Sequence, residues 1–214
     1  METYIPHKPF TAHPTFEKDR DAALNFLDPS AVDPEIRLLV NAINTHPQIF
    51  TLQCCHGHFV TEDGRELANL GEESGGEKLV YRLAYLAVCI ANSEAGRKTR
   101  ERLMSLPARV DHDNVQFGSA TWFWDQWPNS YVIQVMPERY KGLDKARIDY
   151  AEAPKLEKIR DAFFKELRRH PGGEGGRGPR DHRGGRQGAG RRDGGRSPGR
   201  SAGGYGGFRY AWPT

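Results

Sequence analysis

Almost no aliphatic side chain occurs after Pro171, and this limits where a core can form. Residues 171–214 hold 16 of the 24 glycines and carry nine arginines against three acids, Glu174, Asp181 and Asp193. Such a segment buries too little apolar surface to offset the entropy of ordering it. The expectation is therefore one α+β domain over residues 1–170, with one mixed or antiparallel sheet packed with helices. A disordered Arg/Gly-rich tail over residues 171–214 follows it. The tail's net charge is +6 and the whole chain's is +3, so residues 1–170 carry −3. The basicity belongs to the tail. Spaced arginines interleaved with Tyr205, Phe208, Tyr210 and Trp212 resemble RGG-type RNA-binding tails. Their physics is salt-sensitive phosphate attraction plus stacking.

Three cysteines, two of them adjacent, do not make a disulfide framework, so a reducing, cytoplasmic setting is expected. No apolar run reaches the length of a membrane span. The first residues, Met-Glu-Thr-Tyr-Ile-Pro-His-Lys, lack the basic-then-apolar layout of a signal peptide.

Residues 1–14 contain Pro6, Pro9 and Pro14 and read as an extended arm. Thr15 caps a helix to about Leu27, with Phe16, Ala23, Leu24 and Leu27 on one face. A second helix has Asp33 as its N-cap and Pro34 in its first turn. Its Ile36, Leu39, Val40 and Ile43 recur at helical spacing. A strand over residues 49–54 follows. It ends in Cys54-Cys55-His56-Gly57-His58, where Gly57 permits a tight turn or a close approach. Side chains alternate along a strand, so Cys54 is expected to face the core and Cys55 the turn. Glu62-Asp63-Gly64-Arg65 reads as a turn, and residues 71–77 as an acidic Gly/Ser loop. Residues 79–90 fit a helical stripe as well as a buried strand; a strand is preferred, because Asn92 or Ser93 caps a separate helix ending near Leu106-Pro107. That helix carries Arg97, Lys98, Arg100 and Arg102, a solvated basic face or a phosphate-contacting one. Residues 115–119 and 130–136 read as two strands joined by a Trp-rich loop, a hairpin. Glu138-Arg139-Tyr140-Lys141 leaves the second strand. A final helix starts near Pro154 and buries Leu156, Ile159, Phe163 and Leu167.

Two stretches carry unusual chemistry, and both are expected at one pocket. Cys55, His56, His58 and Asp125 are the candidate catalytic residues. Gly57, Trp122 and Trp124 are the candidate cofactor contacts, the indoles serving as a wall on which a planar ligand stacks.

The first sixty residues resemble the wybutosine-tRNA methyltransferase family. The resemblance rests on Phe16, Lys18 and Ala23-Leu24, then Asp33, Ile36, Leu39 and Ile43-Asn44, then Phe50-Thr51 and Cys55-His56-Gly57-His58. The family's turn reads Ser-Cys-Ser-Gly-Arg. Cys55 and Gly57 match it, while Cys54, His56 and His58 stand in place of Ser, Ser and Arg. The resemblance implies an α+β domain that uses S-adenosylmethionine without a Gly-rich dinucleotide loop, with a guanine-derived base in tRNA as substrate. Gln116-Phe117-Gly118-Ser119 and Trp122-Phe123-Trp124-Asp125 are also similar to a bacterial family of unassigned function.

The leading expectation is an RNA-modifying protein that contacts RNA through its tail. Three other readings stand beside it. One is a metal-binding protein in which Cys54 or Cys55, His56 and His58 are joined by a distant ligand such as His46, His112 or Asp111. Another is a Cys/His nucleophilic enzyme. The last is a non-enzymatic RNA-binding module. No complete metal ligand set is assigned from the sequence.

Overall fold

The computed structural model describes residues 5–67, 70 and 78–169. The acidic Gly/Ser loop and the Arg/Gly-rich tail lie outside them. The elements run α1 (Phe16–Phe26), α2 (Pro34–Asn44), β1 (Ile49–Cys55), β2 (His58–Thr61), β3 (Lys78–Arg82), β4 (Ala84–Ile90), α3 (Glu94–Met104), α4 (Leu106–Val110), β5 (Val115–Ser119), α5 (Thr121–Trp124), β6 (Ser130–Val135), β7 (Lys145–Asp149) and α6 (Ala153–Arg169), with three short 3-10 turns. The class is α+β, as expected, and every strand pairing is antiparallel.

The strands form two sheets rather than one: β1-β4-β6-β5 and β2-β3-β7. Residues 79–90 are extended, but they serve both sheets, as β3 and β4 with Leu83 between them. The register explains how. Cys55 pairs with Tyr85 in one sheet and His58 with Arg82 in the other, so one antiparallel ribbon continues through both. It bends where His56-Gly57 faces Leu83-Ala84. The buried Tyr81 hydroxyl serves that bend by accepting the Ala84 N–H at 3.1 Å. Gly57 is required there, because its φ is +90° and a Cβ would lie 2.7 Å from that of Ala84. The seventh strand, β7, went unread in the sequence; its Ala146 and Ile148 are buried between exposed Lys145, Arg147 and Asp149.

One face of the four-stranded sheet packs on α2, α3, α4 and α6 through Ile36, Ile43, Leu86, Phe117, Phe163 and Leu167. The other face meets α1 and Trp127 through Phe16, Phe50, Leu52 and Val132. The three-stranded sheet packs Phe59, Leu79, Tyr81 and Ile148 on the first turns of α6. Helix α6 therefore serves both sheets. Its buried Leu156, Ile159, Phe163 and Leu167 are those its periodicity marks, with Ala153 and Phe164 added.

Three local expectations change. The Trp-rich connection contains a short helix, α5, rather than only a loop. The basic helix is capped by Ser93, whose hydroxyl accepts from the Gly96 N–H, and it stops at Met104 before the separate α4. Thr15 and Asp33 precede α1 and α2, but neither side chain caps its helix. The N-terminal arm is held to the β5–β6 hairpin. Ser119 N–H donates to Pro6 O, and the Thr11 backbone and the Asn129 amide exchange two 2.8 Å hydrogen bonds.

Candidate functional site

The bend in the ribbon carries the chemistry. β1 delivers Cys55, the turn delivers His56, and β2 begins with His58. Asp33 arrives from the residue before α2. Its carboxylate is turned away from its own helix and accepts the His56 N–H at 2.6 Å. The same oxygen lies 3.2 Å from His58 Nε2. Ligand atoms of Asp33, Cys55 and His58 all lie within 4.8 Å of one another, and all three residues are half-buried. The other ring nitrogen, His58 Nδ1, is hydrogen-bonded to Glu66 Oε1. The Gly57 N–H approaches the Cys55 sulfur at 3.4 Å. Arg160 of α6 donates to the Gly57 carbonyl at 3.0 Å and fixes the turn from behind.

The electrostatics follow from these contacts. His58 is raised from its ordinary 6.5 to about 11, because Asp33 and the Cys55 sulfur hydrogen-bond its ring and outweigh burial. Burial pushes the Asp33 carboxyl up, but hydrogen bonds from His58 and the His56 N–H prevail, and the net shift is downward. His56 goes the other way, to about 4, through burial and then the nearby Arg160 charge. Its ring lies 5.2 Å from that of Phe164. Two imidazoles two residues apart are thus held in opposite charge states near neutral pH. Cys54 packs against the large core, and burial raises its thiol to about 12. It borders a small apolar cleft lined by Leu27, Val32, Thr51 and Leu52. The division of labour read from strand alternation holds: Cys54 is a packing residue and Cys55 faces the turn.

The expected shared pocket does not form. Ser119 and Ser130, which flank the Trp-rich connection, pair toward the Ile49–Ile90 end of the sheet, whereas Cys55 pairs with Tyr85 at the other. Six strand residues separate the ends, roughly 20 Å at ~3.3 Å per residue. Asp125, Trp122 and Trp124 therefore stand apart from Cys55, His56, Gly57 and His58. Trp127 is buried against Phe16 and Phe50, Trp124 meets the Tyr131 ring edge-on, and Trp122 and Asp125 are exposed. The supplementary ligands fail for related reasons. His46 precedes β1 at its far end. Asp111 closes a turn, accepting from the backbone and side-chain amides of Asn114 at the start of β5, three strands from β1. His112 pairs with its neighbour Asp113.

The sequence reading missed Asp33 and Glu66. Glu66 left a signal: the turn at residues 62–65 folds the chain back so that Glu66 bridges Val60, beside His58. Asp33 left none, because its place before Pro34 was fully accounted for by helix capping.

The fold and the site together define an α+β protein with a mixed carboxylate, thiol and imidazole cluster where one ribbon passes between two sheets. No protein-family model and no curated protein matches the chain. Among solved structures it is similar to the PH1069 protein from Pyrococcus horikoshii, at 16% identity over 72% of this chain and 93% of that one, with a TM-score of 0.44. A second structure of that protein, from Pyrococcus horikoshii OT3, aligns at 12% identity over 76% and 98%, also with a TM-score of 0.44. A hypothetical protein from Aeropyrum pernix aligns at 13% identity over 64% and 96%, with a TM-score of 0.36. No helix among the described residues is long and apolar enough to cross a membrane.

Proposed function

We propose that the protein binds one divalent transition-metal ion, zinc foremost, through Asp33, Cys55 and His58. The observation that carries this reading is the convergence of three unlike donors within 4.8 Å. A thiolate and an imidazole favour zinc or iron over magnesium or calcium. Glu66 on the second ring nitrogen supplies the carboxylate–histidine arrangement that orients metal-binding imidazoles. Three protein ligands leave a fourth position for water or substrate, the pattern of reactive rather than structural zinc sites. The chemistry to look for is therefore Lewis-acid activation of a bound water or carbonyl. His58 must give up its Nε2 proton to bind metal, so affinity rises with pH, by about tenfold per pH unit for each proton displaced.

The test is native mass spectrometry of the full chain purified without chelator, with cobalt substitution as a spectroscopic check. One bound ion and a cobalt–thiolate charge-transfer band are expected. Both should vanish in C55S and H58A, and E66Q should weaken binding by about 10–100-fold. Unchanged metal uptake in C55S would remove the reading.

A second reading keeps RNA modification with S-adenosylmethionine. It is supported by the sequence resemblance and by the Arg/Gly-rich tail, with the Cys55–His58 turn as the reacting centre. An adenosylmethionine-sized mass in the same spectrum would favour it. RNA affinity that falls steeply with salt would place the tail in the contact.

A further inference from the structure

A second concentration of unpaired polar groups lies at the opposite end of the four-stranded sheet, where the arm meets α3. The Arg97 and Arg100 guanidinium carbons lie 5.7 and 5.9 Å from the centre of the Phe10 ring. Arg100 also sits 5.1 Å over the Tyr131 ring. Lys8 Nζ stands 5.2 Å over Trp124, which meets Tyr131 edge-on at 5.7 Å. Two cations thus share the Phe10 ring, and a third, Lys8, stands over Trp124, the neighbour of Tyr131.

Aromatic faces attract each cation, but they do not cancel charge. Among the described residues no carboxylate pairs with Lys8, Arg97 or Arg100, whereas Lys98 on the same helix is paired with Glu94 at 3.0 Å. Arg100 Nε is buried without a hydrogen-bond partner, and the same guanidinium stands against the hydroxyl of Tyr131, which is 0% exposed. Like charges held close together, with donors left over and no internal counter-charge, are what an anion site requires. The domain that builds this patch is otherwise net negative.

We propose that this patch binds a phosphate group, held between Arg97 and Arg100 with Lys8 as the third cation. The guanidinium fork suits phosphate oxygens, and the adjoining aromatic surface suits the base of a nucleotide. The proposal is independent of the metal reading and uses none of its residues.

The test titrates the full chain with inorganic phosphate and with adenosine monophosphate, by calorimetry, alongside R97Q, R100Q and K98Q. The Arg/Gly-rich tail is common to all variants, so its contribution cancels. Saturable binding is expected, weakened about tenfold or more in R97Q and R100Q, since a charge-assisted hydrogen bond contributes about 1.5–3 kcal/mol. K98Q should bind as the parent does. Tighter binding of the monophosphate than of inorganic phosphate assigns a nucleotide, and equal binding assigns free phosphate. R97Q keeps the test meaningful if R100Q misfolds, because Arg97 is exposed and its loss leaves the packing intact. No binding to the full chain, or unchanged binding in a folded R97Q, overturns the site.

Discussion

His56 and His58 sit two residues apart and titrate in opposite directions, which gives the metal-free protein a pH signature. The folded His58 value, about 11, lies above the ordinary 6.5. Its stabilisation is complete below pH 6.5 and is lost as pH rises toward 11. The folded His56 value, about 4, lies below 6.5. Its contribution is complete above pH 6.5 and is lost as pH falls through 4. The pair's combined contribution therefore peaks near pH 6.5. Thermal midpoints between about pH 5 and pH 9 should show this, with H58Q flattening the alkaline limb and H56Q the acid one. Gly57 is a sharper test of the turn. G57A imposes a positive φ on alanine and drives its Cβ into Ala84, for about 1–3 kcal/mol in conformation alone, and metal uptake should fall with it. At this scale the sequence was half legible. Cys55 and His58 are neighbours along the chain, so their meeting needs only a turn. Asp33 meets them from 22 residues upstream through tertiary packing, and local rules offered it a sufficient role elsewhere.

Among the elements, the ribbon and α6 decide the architecture. A run such as residues 79–90 shows its burial but not its sheet. Nothing in its apolar pattern marks Leu83 as the point of departure, because apolar residues continue on both sides of it. The single sheet expected from the sequence failed there. Helix α6 was fully legible, because one amphipathic stripe suffices to bury it whichever sheet lies beneath. F163A should cost about 3–5 kcal/mol, and both sheets should be lost in one denaturant transition, since α6 packs on both. C54S should cost about 1–3 kcal/mol by placing a hydroxyl where the thiol is buried, while metal binding persists. A C54S protein of unchanged stability would show that the strand alternation has been misjudged.

At the scale of the whole molecule, the described elements and core clusters fall within residues 5–169, and the sequence after Pro171 has almost no aliphatic side chain to add to them. Truncation after Arg169 is expected to leave the thermal midpoint essentially unchanged. A large drop would mean that the aromatic end of the tail docks on the body. The α+β class was readable because helical and strand periods are local. The distance between the two chemically unusual stretches was not, because it depends on which end of a sheet each connection serves.

The arm carries one more consequence, in the order of synthesis. Thr11 is tied to Asn129 across 118 residues, and Lys8 to Ser119 across 111. At about 5–20 residues per second, Thr11 precedes its partner by roughly 6–24 s. Phe10 spends that interval without the Tyr131 ring that later packs beside it. The arm, synthesised before β1–β7, is thus among the last of the described segments to find its place. Until then it is open to whatever waits at the exit tunnel.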